Sequence, residues 1–385
     1  MREHVDTDAV VAATQALVRV DTRKPPGHEV GAVAACRELL DPLGAVIEVV
    51  EPQAGRASVV AALPRTDKPV LVVNGHLDVV PINAEDWTVD PFGAEVADGR
   101  VWGRGTADMK GGIAAAVEAV AALRRSGREP AWDIVFHLVA DEERGGRWGT
   151  QVLVERGFCG CVAACLVPEP TDLDVCVAER GLLVAQLTTR GRPAHGSAPR
   201  QGISAIETAA KVVLALHAAD FGDDPHPLLG RPTANIGEIR GGSGHNTVAE
   251  TCRVTVDRRV LPGATLESTL AAIDAKLAAI GDPDLAYDIA VEIFGEASEM
   301  DAGHPFAALL GRCIGEATGR EPQVIGMPFT TDARFLRNDA GVPAVVCGPG
   351  GIAQAHVHDE WVAIDRLVDA AASFATLYAT PTASA

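Results

Sequence analysis

Short apolar runs punctuate the chain: SVVAAL from Ser58, VLVVN from Val70, DIVFHLVA from Asp133, VAACLV from Val162 and PAVVCG from Pro343. They are continuously apolar rather than alternating, which is the pattern of strands covered on both faces. Helix-forming stretches lie between them. The Ala-rich segment from Asp108 to Arg125 reads as a helix opening at Asp108 and stopping at Ser126-Gly127. Strands alternating with helices predict an α/β fold, a mixed, largely parallel sheet flanked by helices.

Near Glu179 the pattern changes. LLVAQLTTR from Leu182 reads as a strand and Ile203 to Ala219 as a helix. TANIGEIR and CRVTVDRRV are strands of period two, Leu266 to Ile280 is a helix, and Ala286 to Ile293 is a last strand. The order β-α-β-β-α-β is a split βαβ, ferredoxin-like α+β module. After Met300 the alternation of helix and buried strand resumes, so the module is inserted into a larger domain. The expected division is residues 1–179, 180–295 and 296–385, with the outer segments forming one domain.

The length of 385 residues and the 47% hydrophobic content allow a large core and two domains. With 33 Lys and Arg against 52 Asp and Glu, the formal charge of −19 opposes phosphate backbones and anionic membranes at long range. Neither nucleic acid nor a membrane is an expected partner. The first residues are acidic and amphipathic, unlike the basic start and long apolar run of an export signal. No apolar stretch reaches about 18 residues, so a cytoplasmic protein is expected. Eight dispersed cysteines, with Cys159, Cys161 and Cys165 lacking paired CxxC spacing, read as buried reduced thiols.

Candidate chemistry sits where the strands stop, the place where open α/β sheets bind ligands. VLVVN runs into Gly75-His76-Leu77-Asp78, an imidazole for a metal with a carboxylate near enough to orient it. GRGTADMKGG supplies Asp108, whose alternative reading is a helix N-cap. DIVFHLVA delivers Asp141-Glu142-Glu143, three carboxylates whose mutual repulsion a divalent cation would relieve. VAACLV ends at Pro168-Glu169-Pro170, where two rings restrict the backbone around a carboxylate. AHVHDEW supplies His356 and His358, either of which is a potential ligand.

With these residues the chain resembles the metallopeptidase and deacylase family of acetylornithine deacetylase, succinyl-diaminopimelate desuccinylase, aminoacylases and glutamate carboxypeptidase. The resemblance runs from about residue 10 to residue 370. It rests on NGHLDVVP, GRGTADMKGG, ADEERGG, EPTD, RPAHGSAP, DRRVLPG, TTDARFL and AHVHDE, in the family's order. It implies two divalent metal ions, zinc first and cobalt or manganese as alternatives. His76, Asp108 and Glu169 would hold one, and Asp108, Glu143 and His356 the other. Glu142 would be the general base and Asp78 the partner of a ligand. By motif spacing His356 is favoured over His358, where the family often has proline or an apolar residue. Pro168 replaces a glycine common before the glutamate.

The inserted module resembles the family's lid and dimerisation domain. That implies a homodimer, His195 as the group stabilising the oxyanion, and Asn246, Arg259 and Arg334 as substrate contacts. The implied activity is hydrolysis of a linear amide in an N-acyl amino acid, of the acetylornithine or succinyl-diaminopimelate type. A metallo-dipeptidase or carboxypeptidase would use the same site. A non-catalytic ligand-binding homologue is the reading of a different class, and the presence of every expected ligand and of Glu142 counts against it.

Overall fold

The apolar runs become strands because most of their side chains are covered. In the computed structural model, which describes residues 1–381, the strands of the first part that build its main sheet are β1 (Val46–Gln53), β2 (Arg56–Ala62), β3 (Val70–His76), β4 (Asp133–Val139), β5 (Val162–Val167) and β6 (Val175–Glu179). Those of the inserted module are β7 (Gly181–Arg190), β8 (Thr233–Gly241), β9 (Thr251–Val260) and β10 (Ala286–Gly295), and β11 (Ala344–Val346) follows. The helices are α1 (Thr7–Val18), α2 (Val33–Leu40), α3 (Gly111–Arg125), α4 (Thr150–Glu155), α5 (Ala205–Leu216), α6 (Leu266–Ala278), α7 (Pro305–Thr318) and α8 (Ile364–Tyr378).

The chain forms two compact units. The first comprises Met1–Val177, Met300–Ile325 and the described residues from Thr331 to 381; the second comprises Ala178–Glu299 with the short segment Gly326–Thr330. In the first unit the sheet runs β1-β2-β4-β3-β5-β11-β6. The central strands β4, β3, β5 and β11 are parallel, while β1, β2 and β6 are antiparallel to their neighbours. Every residue of β3 and β4 is buried, which explains their uninterrupted apolar character. The antiparallel flank makes the sheet mixed, as the sequence pattern predicts, while the strand at Val175 goes beyond that expectation.

Helix α3 packs against α1 and α8, and α8 also receives α7. Alanines along α3 keep its faces thin, and two glycines let its start press onto the strand ends. A Cβ on Gly112 would collide with the Pro168 carbonyl, and one on Gly111 with the carbonyl of Thr106. The sequence expectation of a helix opening at Asp108 is corrected here. Asp108 has φ −123 and ψ 92, an extended conformation inside a wide turn over Thr106–Lys110, and regular helix begins at Gly111. Asp108 is therefore not an N-cap; the irregular turn frees its carboxylate to face the sheet ends.

In the second unit β8, β9, β7 and β10 form an all-antiparallel sheet in that order, with α5 and α6 supplying one face of the core. Strand β7 alternates buried and half-buried positions, as a sheet covered on one face requires. Leu183, Ala185 and Leu187 meet Val212 and Leu216 of α5 and Ile273 and Leu277 of α6. Among the described residues no helix is long and apolar enough to cross a membrane. All eight cysteines are free thiols, and Cys161 alone is exposed, against the expectation of burial throughout.

Candidate active site

Because β3, β4 and β5 are parallel, their carboxyl ends arrive together. His76 is the last residue of β3 and is registered with Val139, two residues before the acidic turn; β5 ends at Val167, two residues before Glu169. The turn over Thr106–Lys110 brings Asp108 between them. Donor atoms of His76, Asp108 and Glu169 lie within 4.8 Å of one another, as do those of Asp108, Glu143 and His356.

Asp108 belongs to both groups, and its two oxygens face different imidazoles. Oδ1 is 2.9 Å from His76 Nε2, while Oδ2 is 3.2 Å from His356 Nε2. His76 Nε2 also lies 3.5 Å from Glu169, and His356 Nε2 lies 3.2 Å from Glu143. His358 is not part of either group: it is exposed and its nearest carboxylate is Asp86, at 3.8 Å.

Several buried groups hold these donors in place. His76 Nδ1 hydrogen-bonds the Asp78 backbone carbonyl at 2.9 Å, whereas the Asp78 carboxylate is 3.9 Å away. That carboxylate instead accepts the backbone N–H groups of Glu142 and Glu143, at 3.1 and 3.2 Å. Asp78 therefore orients His76 through its main chain and fixes the acidic turn through its side chain. Asp141 secures the other end of that turn, paired with Lys24 and Arg56 and accepting the Trp148 N–H at 3.1 Å. Asp332, which sequence reasoning missed although it lies inside TTDARFL, is buried and accepts from Thr150 Oγ1 at 2.7 Å.

Burial and like charge act strongly on the carboxyls. Burial raises Glu169 well above the usual carboxylate range, with Asp108 adding to the rise and His76 opposing it. Glu142 is raised in the same way, by burial and then by Asp332, Glu143 and Asp108 against the pull of His76. Asp108 is held low despite its burial, because His356 and His76 both hydrogen-bond to it. Hydrogen bonds that His356 donates to the Asp108 and Glu143 carboxylates push it up to about 10. A cluster of hard oxygen donors and two imidazoles, crowded with negative charge, fits divalent cations in both its composition and its electrostatics.

The remaining predicted residues fall in three places. In the second unit the loop of RPAHGSAP pairs with that of GGSGHNTV: Gly196 N–H donates to the Asn246 carbonyl at 2.7 Å, and His195 bridges to Thr247. His195 is exposed, and its Nδ1 accepts the Ser197 N–H at 3.2 Å, which leaves Nε2 as the protonated nitrogen of the neutral ring. Arg259 lies near the far end of β9 from this loop, roughly 26 Å along the strand. There its guanidinium contacts Asp257 at 2.9 and 3.1 Å. Arg334 is buried in the first unit and donates to the Gly145 carbonyl at 2.7 Å, next to the acidic turn.

The model of peptidase family M20/M25/M40 matches residues 72–380. The chain is 33% identical over 318 residues to succinyl-diaminopimelate desuccinylase of Roseobacter denitrificans, covering 79% of this chain and 81% of that protein. It is 29% identical to acetylornithine deacetylase of Proteus mirabilis, covering 76% and 74%. Among solved structures, the M20 family metallo-carboxypeptidase Sso-CP2 of Sulfolobus solfataricus superposes with a TM-score of 0.82 at 18% identity, covering 96% of this chain and 99% of that one. The α/β sheet, the motifs along it and these similarities agree: the chain belongs to peptidase family M20/M25/M40 and is a hydrolase of that family.

Proposed function

We propose that this protein removes the acyl group from an N-acyl amino acid by hydrolysis of its amide bond, at a centre of two divalent ions. The observation that carries this reading is Asp108, whose two oxygens are aimed at two separate imidazole and carboxylate sets. His76, Asp108 and Glu169 would hold one ion, and Asp108, Glu143 and His356 the other. Zinc is the ion we assign first, cobalt and manganese being compatible with the same donors. Bound there, the two ions would lower the pKa of a shared water and polarise the amide carbonyl.

Glu142 stands beside both groups without belonging to either. Its burial raises its affinity for a proton, as a general base working near neutral pH requires. It takes the proton from the attacking water and returns it to the departing amine. His195, donating from Nε2, stabilises the developing oxyanion. Asn246, Arg259 and Arg334 hold the substrate's polar ends, the guanidinium being suited to a carboxylate.

Arg259 and the His195–Asn246 loop occupy opposite ends of β9 within one chain. This separation supports a homodimer in which a second copy supplies one of them. Cytoplasmic location completes the reading.

Names of the two relatives favour succinyl and acetyl groups on diamino acids. The test is a panel of N-succinyl and N-acetyl amino acids with simple dipeptides, assayed with chelated enzyme and again after zinc or cobalt is restored. Metal-dependent release of amine from an acyl amino acid is expected. Turnover of dipeptides alone would replace this reading with a peptidase.

A further inference from the structure

Asp359 and Glu360 are adjacent acids that look interchangeable in the sequence. Their surroundings differ. Asp359, outside the core, accepts from the Thr88 N–H and Thr88 Oγ1, both at 2.8 Å, and so ties the His356 loop to the segment after β3. Glu360 is fully buried. Its Oε2 accepts from Arg104 Nη1 at 2.5 Å, and its Oε1 accepts the backbone N–H groups of Ala107 and Asp108 at 2.9 and 3.2 Å. Its carbonyl takes the Gly103 N–H at 2.8 Å. The strand Trp361–Ala363 then pairs with Arg100–Trp102, locking the next residues to the same segment.

The turn carrying Asp108 is irregular, so repetitive helical hydrogen bonds do not fix it. Glu360 supplies the missing acceptor for two successive amides, as the Asp78 carboxylate does for Glu142 and Glu143. Glu360 is also four residues from His356. From the other side, buried Lys110 donates to the Val20 carbonyl at 3.0 Å and to Thr22 Oγ1 at 2.9 Å, and Thr22 in turn donates to the Leu77 carbonyl.

We propose that Glu360 is a positioning residue: it sets the Asp108 carboxylate between the two imidazoles and couples the His356 loop to it. This rests on the two-ion reading above. The consequence is unequal. His76 and Glu169 are held by the sheet without Glu360, so the ion there keeps two of its three donors in place when Asp108 is disturbed, whereas the ion on Glu143 and His356 depends both on Asp108 and on the loop that Glu360 anchors.

The experiment titrates zinc into chelated wild type, Glu360→Gln, Glu360→Ala and Asp108→Ala, in competition with a chromophoric chelator, beside thermal unfolding of each metal-free protein. Glu360→Gln keeps an acceptor oxygen and removes the charge facing Arg104. Its weaker affinity is expected to fall by about 10-fold and that of Glu360→Ala by about 100-fold, with the tighter affinity held within about threefold. Wild-type affinities in Glu360→Gln, with zinc lost from Asp108→Ala, would overturn the positioning role and leave the two-ion reading intact. So would an equal fall at both sites that tracks lost stability of the metal-free protein. Two ions still bound by Asp108→Ala would overturn the two-ion reading itself.

Discussion

The two donor groups sharing Asp108 are built to different standards. His76, Asp108 and Glu169 are all buried, two of them at or just beyond the ends of parallel central strands. Glu143 and His356 stand on loops, and the His356 side chain is 52% exposed. Strand ends inherit their rigidity from the sheet, and burial excludes competing water. Loop donors depend on side-chain anchors such as Asp78 and Glu360. One tight and one weaker ion are therefore expected.

The largest effect belongs to the residue common to both groups. Asp108→Ala is expected to reduce hydrolysis to background and to abolish retention of both ions, read by elemental analysis after dialysis. Next comes the base. Glu142→Gln should keep both ions and lose about 10²- to 10⁴-fold in kcat; turnover near wild type would remove Glu142 from that role.

The comparison itself is tested by the histidines. His356→Ala should lose one ion and His76→Ala the tighter one, while His358→Ala leaves both affinities within about twofold of wild type. Equal losses from His76→Ala and His356→Ala would erase the distinction between the groups.

The smallest effect concerns stability. The burial that makes β3 and β4 rigid also encloses His137, whose ring nitrogens have no hydrogen-bond partner. Burial lowers its pKa from 6.5 to about 4. The unfolded chain takes up the proton first, so the contribution of His137 to stability is full above pH 6.5 and is lost as the pH falls towards 4, by about 3 kcal/mol in all. His137→Phe should flatten that decline in urea unfolding at pH 7 and pH 5; an unchanged slope would assign it to other groups.

Strand-end chemistry is legible in the sequence because the runs VLVVN, DIVFHLVA and VAACLV stop within a few residues of His76, Glu143 and Glu169. Alternating periodicity likewise exposes the order of the inserted module. Less legible is anything set by an irregular backbone. The Asp108 turn reads as a helix start because Asp, Gly and Ala fit one. Sequence spacing puts the Asp78 carboxylate on His76, but the extended chain after β3 carries it to the amides of the acidic turn. Nothing in Asp359-Glu360 separates a half-buried clip from a fully buried staple, since that difference arises from residues far away in the chain.

The most direct measurement is the zinc content of dialysed wild type beside Asp108→Ala, with the folding of each checked by circular dichroism. Two ions per wild-type chain and none in folded Asp108→Ala is the predicted result. Two ions retained by folded Asp108→Ala would contradict a centre built around a shared carboxylate.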